Sequence, residues 1–241
     1  MEVKRALGLA KAMVYPPRGS MTRYFLKRYC RGKGLEVGPG KAPYSLRRET
    51  VYLDRFKVHA GRPARADVLA DAGHVPFRDS SFDHLISSHC LEHCADTLAV
   101  LSDWVRVVRP GGILFLILPH GERTFDRGRP LTPLEHHIED RERAVGPLDP
   151  APWAEFERFS IPQHRHAWLA EARKPDGSWD FEWIVRHGHL HYHVWTQHEM
   201  AAILAHVNCR LLVALEELPE RPDSFLCVAR VEKTAGRNGT I

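Results

Sequence analysis

The stretch Gly34-Leu35-Glu36-Val37-Gly38-Pro39-Gly40 decides the fold: a short run of strand type ends abruptly in two glycines one residue apart. Glycine has no Cβ, so a strand that runs into such a loop lets the backbone approach a ligand at the carboxyl edge of a parallel sheet. The full dinucleotide fingerprint is missing. No third glycine follows to open a phosphate-binding helix, and Ser45 and Leu46 stand in the segment beyond. That pattern argues against a nicotinamide dinucleotide and for a ligand without a pyrophosphate.

Outward from this loop the first half of the chain alternates short strand-like runs with helical or loop segments, the pattern of a parallel sheet covered by helices. After the first run, strands are expected at Val51 to Arg55, Ala66 to Ala70, His84 to Ser88 and Ile113 to Pro119. Leu98, Leu101, Val105 and Val108 recur with a helical period over Thr97 to Val108, and Pro110-Gly111-Gly112 reads as the turn that stops that helix. The second strand ends in Asp54, a carboxylate placed to accept both hydroxyls of a ribose or, as an ordinary strand-end Asp, to cap a turn. Asp71-Ala72 follows the third strand and Ser88-His89 the fourth.

The succession LEVGPG (35–40), YLD (52–54), ADA (70–72), VPFRDSSFD (75–83), SSHCLEH (87–93) and RVVRPGGILFLILP (106–119) resembles the class I S-adenosylmethionine-dependent methyltransferases. It is most similar to the type 11-like group with the signature LPFxDxSFDxVxSxHxLEH. The resemblance spans Gly34 to Pro119 and implies an α/β, Rossmann-like sheet, mostly parallel with an antiparallel last strand. It implies S-adenosylmethionine as cofactor, with Glu36, Gly38 and Gly40 shaping the methionine pocket and Asp54 on the ribose. Asp71 and Ala72 would meet the adenine, and His89 would begin the segment beside the reacting methyl. Pro39 and Lys41 depart from the family pattern, where many members carry another residue and a third glycine.

From Gly121 to Trp195 the alternation breaks into a stretch rich in Pro, His, Trp and Arg, too long for a crossover loop, and this is read as an inserted cap. Thr132-Pro133-Leu134-Glu135 reads as a capping box that opens a helix running to about Ala144, and Thr196-Gln197-His198-Glu199 as a second that opens a helix over Gln197 to Val207. Strand-like runs at Arg210 to Leu215 and Phe225 to Val231 complete the core. The expected organisation is a single domain over 1–241: an N-terminal helical or cap segment 1–31, a cofactor-binding core 32–120, the cap 121–195, and a helix and strands 196–231. The tail from Glu232 reads as disordered.

Histidine is the outlier of the composition, sixteen residues concentrated after Leu118. His187, His189, His191 and His193 alternate, so an extended segment would project all four from one face. His191-Tyr192-His193-Val194-Trp195-Thr196 also resembles a stretch, HFHVWT, of a bacterial subset of the same family. Three readings stay open: metal ligands, with Glu135, His136, His137 or Asp126 as a third donor; acceptor contacts or a base; and a polar wall. Methyl transfer needs in-line positioning and, for a hydroxyl acceptor, a base, a role imidazole suits near neutral pH. The candidate catalytic residues are therefore His89, His191 and His193, and no metal is assigned. His89-Cys90 and His93-Cys94 invite a zinc reading, but they fall in a motif the resembled family uses without metal. Trp153, Trp168, Trp179, Trp183 and Trp195 form either an acceptor pocket or the core of the cap.

With 241 residues, 44% of them apolar, and a net charge of +4 without any Lys/Arg block, nucleic acid is not the expected partner. No run of about 18 apolar residues is available for a membrane span. Met1 to Arg18, with Lys4, Arg5 and Lys11 around a short apolar stretch, falls short of a signal-peptide core, which points to the cytoplasm. Five cysteines, an odd number set mostly in apolar runs, read as reduced thiols. The leading functional expectation is methyl transfer to a small molecule, with a hydroxyl of a sugar or natural product as the expected acceptor. Its alternatives are a metal-assisted variant with cap histidines holding a divalent ion, and a non-catalytic S-adenosylmethionine sensor or scaffold. A homodimer is compatible with the sequence.

Overall fold

The computed structural model describes residues 19–59 and 61–232. The expectations for Met1 to Arg18 and for the tail beyond Glu232 lie outside the described residues. After helix α1 (Met21–Tyr29) come strands β1 (Gly34–Val37), β2 (Thr50–Asp54), β3 (Val58–His59), β4 (Arg62–Pro63), β5 (Val68–Leu69) and β6 (Phe82–Ser88). A 3-10 turn (Leu91–His93) leads to α2 (Thr97–Val107) and β7 (Val108–Pro119). Four short helices follow, α3 (Leu134–Glu142), α4 (Ala151–Glu155), α5 (Trp168–Glu171) and α6 (Phe181–Arg186), before α7 (Gln197–His206), β8 (Cys209–Leu215) and β9 (Ser224–Val231) end the described elements.

Seven strands form one sheet in the order β5-β2-β1-β6-β7-β9-β8. The first five are parallel, and β9, the last strand in sequence, runs antiparallel between β7 and β8. Strands β3 and β4 pair apart from it as a small ribbon. The central strands are buried on both faces, which is why they read as apolar runs and not as alternating ones. Along β7, Leu114 and Leu116 join one core with Leu35, Val37, Trp104 and Met200, while Phe115 and Ile117 join the other with Leu26, Ile86 and Leu226. Successive side chains of a strand point to opposite faces, so a single apolar run feeds both cores.

The register sets the site. Val37 pairs with Leu53 on one side and Ser87 on the other, and Asp54 pairs with Leu69, so Gly38, Asp54, Ala70 and Ser88 emerge together at one edge. This is the edge at which open α/β sheets bind ligands.

Three local readings are corrected. Pro110-Gly111-Gly112 lies within β7 and not in a turn: Phe82 pairs with Val108 and His84 with Ile113, so the residues between swell out of the ladder. Gly111 takes a φ of +78°, and a Cβ on Gly112 would stand 2.7 Å from the Asp83 carbonyl oxygen, which explains both glycines. The capping box expected at Thr132 does not form. Thr132 instead exchanges bonds with Val194, accepting at Oγ1 from its amide (3.1 Å) and donating its own amide to the Val194 carbonyl (2.8 Å), which ties the start of α3 to the end of the inserted segment. The second box forms, with Glu199 accepting from the Thr196 amide at 2.8 Å. Finally, the histidines at 187–193 do not share one extended face, because His187 and Gly188 form the turn that ends α6. Among the described residues no helix is long and apolar enough to cross a membrane.

Candidate active site

At the carboxyl edge the protein holds a cavity of about 1850 Å³. Gly38, Gly40, Asp54, Asp71, Ala72 and His89 all line it, so six of the sequence-derived site residues meet in one space. Gly38 has a φ of +69° and packs its bare Cα against Cys90, where an added Cβ would stand 2.7 Å from the sulfur and 2.8 Å from the Cys90 Cβ. Gly40, at φ +53°, has open space where its Cβ would be. The loop thus presents backbone to the cavity.

Glu36, expected in the pocket wall, lies behind it. Its carboxylate, 1% exposed, accepts from the amides of Tyr44 at 2.6 Å and Ser45 at 2.8 Å and so braces the glycine loop from within the sheet. Burial pushes its carboxyl up to about 7, against the two amide bonds that favour the charged form. Asp54 accepts at Oδ2 from the Gly40 amide (3.1 Å) and at Oδ1 from the Phe56 amide (2.9 Å), leaving lone pairs on a carboxylate that borders the cavity. Asp71 accepts from the Gly73 amide at 2.9 Å, and Ala72 is fixed by the Trp104 indole, which donates to its carbonyl at 2.9 Å.

His89 sits at φ +50° where β6 ends, with its Nε2 2.8 Å from Ser224 Oγ. The Ser224 hydroxyl in turn donates to Asp223, so it accepts from His89 Nε2–H and leaves Nδ1 as the acceptor nitrogen. Burial, reinforced by the Arg221 charge, holds this imidazole well below its ordinary value, in the neutral form a base requires.

His191 and His193 do not line the cavity. They are 5% and 4% exposed and are committed to carboxylates: His191 donates through Nδ1 to Asp126 at 2.6 Å, and His193 Nε2 lies 3.0 Å from Asp140, with Nδ1 3.1 Å from Thr97 Oγ1. Burial opposes charge at His191, yet Asp126 overcomes it and raises the imidazole above its ordinary value; burial likewise opposes the Asp126 charge, and His191 and Arg129 hold that carboxyl well below the usual range. Neither histidine touches the acceptor space directly, because a carboxylate has drawn each inward. The other two histidines of the alternating set stack on aromatic rings, His189 on Trp168 at 4.7 Å and His187 on Trp183 at 3.9 Å between centroids. Trp153, Trp168, Trp179 and Trp183 pack on the cap's own core, and Trp195 joins the main one, so the tryptophans are core and not pocket.

The sequence reading missed several residues of the wall. From the inserted segment come Val145, Pro147, Leu148, Glu182, Val185 and Arg186; from elsewhere come Arg23, His93 and Arg221. Glu92 belongs with these missed residues. It is fully buried within the turn between β6 and α2, 3.6 Å from His89 Nδ1 and 3.9 Å from His93 Nε2, and burial pushes its carboxyl up to about 7. The LEH triplet marks the spot in the sequence, but nothing local shows that His191 folds against it.

Comparison with known proteins agrees with this architecture. A family model described as a methyltransferase domain matches residues 18–116. The chain is 36% identical over 92 residues to an uncharacterized methyltransferase of Mycobacterium sp. (strain JLS), a match covering 34% of this chain and 36% of that protein. It is 44% identical over 55 residues to the malonyl-[acyl-carrier protein] O-methyltransferase of Yersinia pestis, covering 22% of this chain and 21% of that one. The match therefore spans about a third or less of the length of these curated relatives. Among solved structures, the fold is similar to that of the 1,6-didemethyltoxoflavin-N1-methyltransferase of Burkholderia thailandensis, with a TM-score of 0.52 and 12% identity over 96% of this chain and 84% of that one.

Proposed function

We propose that the chain, whose residues 18–116 match the methyltransferase-domain model, transfers a methyl group from S-adenosylmethionine to a small polar molecule, a hydroxyl of a sugar or sugar-like natural product. One observation carries transfer to a small molecule: a single cavity is lined both by Gly38, Asp54 and Asp71 and by Val145, Leu148, Val185 and Arg186 of the inserted segment. Its 1850 Å³ exceeds the ~300–1,000 Å³ of a pocket for one small ligand and leaves room for cofactor and acceptor together.

The residues fit the cofactor. Bare backbone at Gly38 and Gly40 gives the methionine end a close approach, the spare lone pairs of Asp54 suit two ribose hydroxyls, and Asp71 and Ala72 border the place for the adenine. When bound, the sulfonium supplies an already activated methyl, so the protein's part is alignment and proton removal. His89 fills the second role: neutral, fixed by its bond to Ser224 and facing the cavity, it holds the acceptor's proton at Nδ1. His191 and His193 act from behind as positioning residues, through the Asp126 and Asp140 bonds that fix the inserted segment.

The test is release of S-adenosylhomocysteine from S-adenosylmethionine in the presence of a panel of sugars, glycosides and aromatic alcohols. Turnover is expected with a polyhydroxylated acceptor and should fall by about 100-fold or more in His89→Ala. Turnover confined to apolar aromatic acceptors, or undiminished in His89→Ala, contradicts the reading.

A further inference from the structure

Glu92 is fully buried, and neither of its carboxylate oxygens has a hydrogen-bond partner. Such a group is costly unless something compensates it. Imidazoles surround it, at 3.6 Å for His89 Nδ1 and 3.9 Å for His93 Nε2, and one donor atom each from Glu92, His93 and His191 falls within 4.8 Å of the others. These separations are too long for hydrogen bonds. They suit atoms that share an ion, since ligands bound at about 2.0–2.2 Å stand roughly 3–4 Å apart around a metal.

The two histidines are also prepared for it. His191 donates through Nδ1 to Asp126 at 2.6 Å and His93 through Nδ1 to the Leu190 carbonyl at 2.8 Å, the carboxylate- and carbonyl-backed arrangement common to metal-binding histidines, and each would bind through Nε2, His191 releasing its Nε2 proton to solvent as the ion enters. A second cluster among the described residues lacks this character. In His136, Asp140 and His193 the carboxylate already lies 3.2 Å and 3.0 Å from the two imidazoles, and Thr97 occupies the other nitrogen of His193. There the polar groups satisfy one another.

We propose that Glu92, His93 and His191 hold a divalent transition-metal ion at the wall of the cavity, beside His89, where it receives the acceptor's oxygen. Two imidazoles and a carboxylate, without a thiolate, suit Zn²⁺, Co²⁺, Mn²⁺ or Fe²⁺. His89 and His93 both line the cavity, so an ion bound here abuts the space assigned to the acceptor. It would draw charge from a bound hydroxyl and ease loss of its proton to His89. The link to the acceptor rests on the proposed methyl transfer; the binding of the ion does not. The site was hidden in the sequence because the motif histidine and the cap histidine each have an innocent reading alone, and only the fold joins them.

Full-length protein stripped by chelation and titrated with Co²⁺, then Zn²⁺, tests the site. Co²⁺ is expected to bind at one equivalent per chain with visible absorption of a nitrogen–oxygen site, to be displaced by Zn²⁺, and to raise the thermal midpoint. Glu92→Gln and His191→Ala should each weaken binding about 100-fold or more, with His93→Ala as the third variant should either misfold, and His136→Ala should bind as the wild type does. No saturable binding, or binding unchanged by the ligand variants, or binding lost in His136→Ala and kept in Glu92→Gln, overturns the proposal. Titration of S-adenosylhomocysteine into the same samples separates the two readings, since loss of the metal leaves the cofactor site in place.

Discussion

The guanidinium of Arg129, 1% exposed, holds both the Asp126 carboxylate, at 3.1 Å, and the carbonyls of His191 and Tyr192, at 3.0 and 3.2 Å, while its Nε reaches Glu155 at 2.7 Å. One buried side chain thus ties the start of the inserted segment to its end and orients the carboxylate that orients His191. Arg129→Ala leaves Asp126 without its permanent cation and two carbonyls without a donor. The expected loss is about 3–5 kcal/mol of stability, read by chemical denaturation. Arg129→Lys should recover only part of it, because an ammonium lacks the planar fork. A loss below about 1 kcal/mol in Arg129→Ala would show that this network does not hold the segment.

Gly38→Ala should reduce cofactor affinity by at least about tenfold, and the cause is visible behind the loop as well as in front of it. The new Cβ would meet Cys90, and the positive φ is strained for any L side chain. Adding Cys90→Ala relieves the 2.7 Å contact with sulfur but not the 2.8 Å contact with Cβ, so the double variant should stay impaired. Full recovery of affinity in the double variant would place the whole effect on the sulfur.

Glu36 gives a pH signature. Its native pKa, about 7, stands above the ordinary 4.5, so the folded protein keeps a proton that the unfolded chain releases. The stabilisation from this group is full below about 4.5 and is lost as pH rises through about 7. Relative to wild type, Glu36→Gln should therefore gain stability steadily between pH 4.5 and 7, by on the order of 3 kcal/mol across the window. A constant offset between the two proteins over that range would contradict the assignment.

His193→Ala separates positioning from contact with the acceptor. It removes an imidazole held between Asp140 and Thr97, and should cost about 1–3 kcal/mol of stability with S-adenosylhomocysteine affinity unchanged. The KM of the acceptor should also stay near the wild-type value at temperatures where the variant is folded. A rise of tenfold or more would return His193 to the acceptor wall.

The strand-to-glycine run at 34–40 and the Asp54, Asp71 and His89 positions were legible because each depends on a local rule: a strand end, a glycine with positive φ, a fixed place in a repeated succession. The parallel order and the antiparallel last strand followed from the same succession. What the sequence hid was long-range. The alternation of His187 to His193 looked like one extended face, but a helix end consumes His187, aromatic rings take His189, and buried carboxylates turn His191 and His193 inward. The five tryptophans carry no sign of which side they face, and packing placed them in cores. Arg23 and Arg221 reach the wall from opposite ends of the chain, and no local pattern announces that.

The central claim is that the cavity at the carboxyl edge holds the cofactor with Asp54 on its ribose, and calorimetric titration of S-adenosylhomocysteine into wild type and Asp54→Ala tests it most directly. Both oxygens of Asp54 are engaged by loop amides, so the variant's fold is checked by its thermal midpoint in the same preparation. The account predicts one site per chain in the wild type and an affinity weakened by about 1.5–3 kcal/mol, roughly 10- to 150-fold, in Asp54→Ala. Absence of binding to the wild type, or equal affinity in a folded Asp54→Ala, would contradict it.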